Sequence, residues 1–106
     1  MMKDYIKHVL IGTPLEKPAK TLQFLLNYNR RLRHPELEEI YLESKRIEQV
    51  MKCEIGISSN CIDIGAHLGS MLSEILRLSP NGRHMAFEPT PQKACWLKQK
   101  FSGVRY

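Results

Sequence analysis

No apolar run in the 106-residue chain reaches the length of about 18 residues that a membrane-spanning helix needs. Charges interrupt the amino terminus at Lys3, Asp4 and Lys7, so a secretory leader is not expected. The three cysteines, Cys53, Cys61 and Cys95, form no CxxC pair and leave an odd one over. That usage fits a reduced, cytoplasmic chain with Cys61 as a buried strand residue. His8, His34, His67 and His84 are scattered without ligand spacing, which argues against a zinc site. There is no internal repeat, no low-complexity tract and no G-x-G-x-x-G. Aromatic residues are only 8% of the chain and do not interleave with the basic run at Arg30, Arg31 and Arg33. The run therefore lacks the stacking platform of a single-strand binder, and nucleic acid is not the expected partner. It reads as a solvated basic helix face, with electrostatic contact to an acidic partner as the alternative.

What is present fits one small globular unit. Hydrophobic residues make up 42% and charged residues 25%, a balance that argues against disorder. The net charge of +5 is uneven, with Lys3, Lys7, Lys17, Lys20 and the three arginines opposed by only Asp4 and Glu16 before residue 35. Gly12, Pro14 and Pro18 punctuate the start, which predicts a short helix near 3–10 followed by a turn. Leu22, Leu25, Leu26 and Tyr28 predict an amphipathic helix over 19–33. Pro35 with Glu36 reads as a helix start, and Leu37, Ile40, Tyr41, Ile47, Val50 and Met51 carry that helix to about Lys52. This long helix is the candidate cover for one face of a sheet.

The second half has a different rhythm. Asn60 to Gly65 reads as a strand, Gly65 to Gly69 as a tight turn, and Ser70 to Leu78 as a helix burying Leu72, Ile75 and Leu76. Ser79-Pro80-Asn81-Gly82 stops the helix, with Asn81-Gly82 expected to supply a positive-φ turn. Arg83 to Glu88 reads as a second strand, with His84 facing outward. Thr90 is the expected N-cap of a last helix, with Pro91 at its first position and Ala94, Leu97 and Phe101 on its inner stripe. Trp96 is placed as a partly covered surface anchor. Val104 to Tyr106 reads as the opening of a third strand.

Strand-helix-strand units are almost always right-handed and parallel, which puts Asp63 and Glu88 at the same carboxyl edge. Gly65 allows a sharp turn and the close approach of a ligand, and Gly69 lets the helix approach the strand. Glu88 lies 23 residues after Gly65, where a carboxylate can accept hydrogen bonds from ribose hydroxyls. The turn does not suit a dinucleotide, because Asp63 directly before it would repel a pyrophosphate. A sulfonium and an ammonium would be welcome there, which favours S-adenosyl-L-methionine over NAD. The competing reading makes Asp63 a strand-end acid that caps the turn and Glu88 a solvated strand-end acid. His67 has two readings, a packing or hydrogen-bonding loop residue and a catalytic base, and the first is the better supported.

Cys61-Ile62-Asp63-Ile64-Gly65-Ala66-His67-Leu68-Gly69, followed by Gly82-Arg83-His84-Met85-Ala86-Phe87-Glu88-Pro89-Thr90-Pro91, resembles the start of an FkbM-type methyltransferase. That family shows D-[IV]-G-A-[NH]-x-G and then G-x-[VH]-x-A-F-E-P-x-P. The likeness spans about residues 30–106 and is weak before them. It implies an α/β fold, an incomplete class I methyltransferase (Rossmann-like) parallel sheet preceded by N-terminal helices. Residues 1–52 would be the helical segment and 53–106 the first half of the methyltransferase domain. The resemblance also implies methyl transfer from S-adenosyl-L-methionine, usually to a hydroxyl of a small molecule or sugar. Asp63, Gly65, Ala66, His67 and Gly69 would then line the methionine-side loop, and Glu88 would hold the ribose. Family domains continue through further strands that carry the adenine contacts and the acceptor pocket. A truncated chain, inactive alone, is therefore expected, with no catalytic base assigned. A non-catalytic remnant or partner-binding fragment is the alternative, and self-association through an open sheet edge is expected of either.

Overall fold

A computed structural model describes residues 2–106. Four helices come first: α1 (Met2–Leu10), α2 (Glu16–Leu26), α3 (Tyr28–Arg33) and α4 (Pro35–Glu54). They are followed by β1 (Ile62–Ile64), α5 (Ser70–Leu78), β2 (Met85–Phe87) and α6 (Pro91–Lys100). The chain is thus α/β, with the strands confined to its second half.

The expected helix over 19–33 is in fact two. It starts earlier, at Glu16, and breaks at Asn27, whose N–H donates to Gln23 O and whose carbonyl accepts from Arg31. Its leucines do not form a buried stripe, since Leu22, Leu25 and Leu26 are exposed. Phe24 is the inward residue instead. It stacks on Tyr41 of α4 with ring centroids 4.6 Å apart, and the Arg31 guanidinium lies 3.4 Å from its ring centroid. Arg31 also reaches Glu38 at 3.5 Å. Pro35 opens α4 at its first turn as expected, with Glu36 and Glu38 near the positive end of the helix dipole. No residue of α1 to α4 is fully buried.

β1 and β2 pair in parallel, with Ile62 opposite Met85, Asp63 opposite Ala86 and Ile64 opposite Phe87. The third strand opens as a single parallel bridge between Met85 and Arg105. Arg105 N–H donates to His84 O at 3.0 Å and its carbonyl accepts from Ala86 N–H at 2.9 Å. β2 therefore has neighbours on both sides, and β1 has one. Alternation along the strands puts Ala86 on the face that α5 and α6 cover. There Ala66, Leu72, Ala86, Leu97 and Val104 make the core, with Leu76, Phe101 and Tyr106 packed against it. Burying Leu72 and Leu97 contributes roughly 1.5–3 kcal/mol apiece.

The opposite face carries Ile62, Ile64 and Phe87, which are 63%, 82% and 48% exposed. α4 does not cover it; that helix lies against α3. The amino-terminal arm is tied to α6 instead. Trp96 stacks on His8 at a centroid distance of 4.9 Å and meets Tyr5 edge-on, while Lys100 Nζ donates to the His8 carbonyl. Trp96 is thus an anchor for α1, in keeping with its expected half-covered place.

Candidate cofactor site at the carboxyl edge

β1 ends at Ile64, and the backbone must turn at once to start α5 below it. Gly65 does so at φ 80° and Gly69 at φ 92°, both in the left-handed region that glycine enters without a steric cost. The two serve different ends. A Cβ on Gly69 would come within 2.6 Å of Phe101 Cε2 and 2.8 Å of Leu97 Cδ2, so Gly69 lets α6 close over the start of α5. A Cβ on Gly65 would meet nothing within 4 Å, so that glycine borders open space. Between them His67 sits at φ 52°, the one non-glycine residue with positive φ among those described. A side chain held there is sparsely populated and marks a loop that its surroundings over-determine.

Glu88 supplies the restraint. Its Oε2 accepts from the His67 N–H at 2.6 Å and its Oε1 from the Thr90 N–H at 3.1 Å. Phe87 O accepts from both Gly65 N–H at 2.8 Å and Ala66 N–H at 3.0 Å. The end of β2 thereby fixes the loop that follows β1. Desolvation pushes the Glu88 carboxyl up, but the hydrogen bonds from Thr90 and His67 and the charge of Lys93 outweigh it and hold it below the usual carboxylate range.

Asp63 is the opposite case. It stands opposite Ala86 on the helix-covered face, half-buried, and its Oδ2 is fully buried with no hydrogen-bond partner. Burial, and then the charge of Glu88, push its carboxyl up. A buried, unpartnered carboxylate oxygen costs about 1–3 kcal/mol. A donor could satisfy it only by displacing the residues that bury it.

Of the six residues expected to bind cofactor, the structure brings Asp63, Gly65, His67 and Glu88 together at one edge. Ala66 offers backbone only, because its methyl is buried in the core. Gly69 acts through packing. The edge is an open ledge. Two cavities lie elsewhere: one of about 430 Å³ between the α1–α2 turn and α5, and one of about 470 Å³ at the amino ends of the strands. Neither takes in Asp63 or Glu88.

The amino ends hold what sequence reasoning missed. His84, expected to face outward, is 4% exposed. Its Nδ1 accepts from the Cys61 N–H at 3.2 Å, which leaves Nε2 protonated to donate to Ser79 O at 2.9 Å. Ser79 is itself buried, with its hydroxyl 2.6 Å from Ser59 O, and Asn60 Oδ1 accepts from Arg83 N–H at 2.8 Å. Gly82 does not adopt positive φ. It is glycine because a Cβ would lie 2.0 Å from Ser59 O. Cys61 is half-buried, where full burial was expected. Thr90 occupies the N-cap position of α6 but makes no side-chain cap; its N–H goes to Glu88 instead. A histidine amid apolar strand residues, 23 residues after a strand-leading cysteine, was the available signal for this lock.

No helix among the described residues is long and apolar enough to cross a membrane, and no group of His, Cys, Asp or Glu there could hold a metal ion. Comparison with protein-family models, with curated proteins and with solved structures returns no match.

Proposed function

We propose that the chain carries the methionine and ribose half of an S-adenosyl-L-methionine site of FkbM type, serving transfer of a methyl group to a hydroxyl. The observation that carries the reading is the unpartnered Asp63 oxygen beside a restrained, positive-φ loop, with Glu88 at the neighbouring strand end. The residues present suit such a ligand. Asp63 would receive the ammonium, Gly65 leaves room for close approach of the ligand to backbone, and Glu88 keeps lone pairs for ribose hydroxyls while holding His67 in place. When bound, the cofactor supplies an electrophilic methyl on a sulfonium. The role of these side chains is binding and orientation. No residue of the ledge is assigned the proton of the acceptor hydroxyl.

Calorimetry with S-adenosyl-L-methionine, S-adenosylhomocysteine and NADH tests the reading. Expected are binding of the first two, loss in Glu88→Ala and Gly65→Val, and no binding of NADH. Equal heats for wild type and Glu88→Ala, or a preference for NADH, would sink it.

The exposed Ile62, Ile64 and Phe87 beside the free edge of β1 support a second reading, a fragment that associates with itself or a partner. Sedimentation velocity of wild type against Ile64→Lys separates the cases. Association abolished by Ile64→Lys supports it, and a monomer in both dismisses it.

A further inference from the structure

The two cavities differ in charge. The one beside α5 is lined by Glu16 and Glu74 as well as Lys17 and Arg77, and its acids are already paired, Glu16 with Lys20 and Glu74 with Arg77. The cavity at the amino ends of the strands holds Arg83 and Arg105 and no carboxylate. Neither guanidinium has an ion-pair partner among the described residues. Its volume of about 470 Å³ is in the range of small-molecule sites.

The register places these groups. Arg105 bridges to Met85, and Arg83 lies two residues before Met85 on the same chain segment. The two arginines are therefore diagonal neighbours on the face that also presents Ile62 and Met85, both of which line the cavity. Asn60 stands at its rim with Oδ1 committed to Arg83 N–H, so its amide NH₂ is the end left to donate. Two cationic forks, an amide donor and an apolar wall make a site for a doubly charged anion with a hydrophobic body. Guanidinium pairs match phosphate oxygens better than single ammonium groups do.

We propose that this cavity binds a phosphate monoester carrying an apolar group. The phosphate sits between Arg83 and Arg105, and the ester group lies on Ile62 and Met85. The site is at the opposite end of the strands from Asp63 and Glu88 and does not depend on the reading of that edge. Cys61, which also lines the cavity, reports on it.

The test uses the whole chain and phenyl phosphate as the probe, with inorganic phosphate and benzyl alcohol as comparisons. Calorimetry at low salt is paired with peptide mapping of Cys61 alkylation, which separates Cys61 from the exposed Cys53 and Cys95. Phenyl phosphate is expected to bind, to slow alkylation of Cys61, and to bind more tightly than inorganic phosphate. Arg83→Ala and Arg105→Ala are each expected to weaken it by about tenfold or more, with unchanged circular dichroism, and Glu88→Ala to leave it unaltered. Arg105→Lys should recover only part of the loss. Affinity unchanged in both arginine variants, benzyl alcohol binding as well as phenyl phosphate, or no protection of Cys61 at millimolar probe would each overturn the proposal.

Discussion

Residues 2–54 are almost wholly helical, yet none of their four helices buries a side chain completely. Residues 62–106 have only two three-residue strands and two helices, and they hold nearly all of the core. The first region takes its form from local signals: a proline at the first turn of α4, acids beside it, and the pairs Glu16–Lys20 and Lys45–Glu48 along the surface. The second takes its form from contacts distant in sequence, such as Ala86 between β1 and Arg105, His84 against Cys61, or Ser79 against Ser59. Regular secondary structure and burial are thus separated along this chain. Helices can be plentiful where burial is scarce.

Substitutions should divide along the same line. Leu72→Ala, in the core beneath β2, is expected to cost about 2–5 kcal/mol in urea unfolding, a large share of the ~5–15 kcal/mol of an ordinary domain. A loss below about 1 kcal/mol would mean that the core lies elsewhere. Gly82→Ala forces backbone apart at Ser59 and should cost on the order of 3 kcal/mol, seen also as faster amide exchange over residues 57–61. His84→Leu keeps an apolar volume but strands the Cys61 N–H and leaves the Ser79 carbonyl only the Gly82 N–H at 3.3 Å, at about 1–3 kcal/mol.

Asp63→Asn should act in the other direction, adding about 1 kcal/mol at neutral pH while removing any cation binding at the ledge. The sign follows from the raised carboxyl. Its contribution to stability is complete below the ordinary aspartate range and is lost as pH rises through the higher folded value. Wild type should therefore gain relative to Asp63→Asn on mild acidification. Glu88 opposes this, because its carboxyl is lowered. Its contribution is present above the ordinary glutamate range and lost as pH falls through the folded value. Thermal melts of both variants across pH 4–7 read the two slopes separately. The smallest effect is expected from Leu25→Ala on α2, at most about 0.5 kcal/mol. A larger loss would show that the amino-terminal helices depend on packing after all.

The sequence made the second half legible because its signals were strong and local. Two glycines flank a turn after an apolar run, Pro80 ends α5, Pro91 begins α6, and both strands ended within a residue or two of the expected acids. Long-range polar contacts were not legible. His84 looks like an outward strand residue until the turn at Ser79 folds beneath it. Gly82 looks like a turn glycine until the backbone of Ser59 is found against it. The α2–α3 region misled for a related reason: leucine spacing predicts a stripe but does not supply a surface to bury it, and here Phe24 and Arg31 make the contact with α4. At the ledge, the residue types and their edge were readable. That Glu88 spends its oxygens on the His67 and Thr90 amides was not, because backbone donors leave no mark in sequence.

The clasp between His8 and Trp96, with Lys100 on the His8 carbonyl, joins residues near opposite ends of the chain. On a ribosome the two halves do not emerge together. α1 leaves the exit tunnel before α6 has been made, and it cannot dock until α6 follows. At ~5–20 residues per second, that interval is of order several seconds. During it Tyr5 and His8 lack the Trp96 ring that they meet in the finished fold, and nascent-chain chaperones would find α1 there ready to hold.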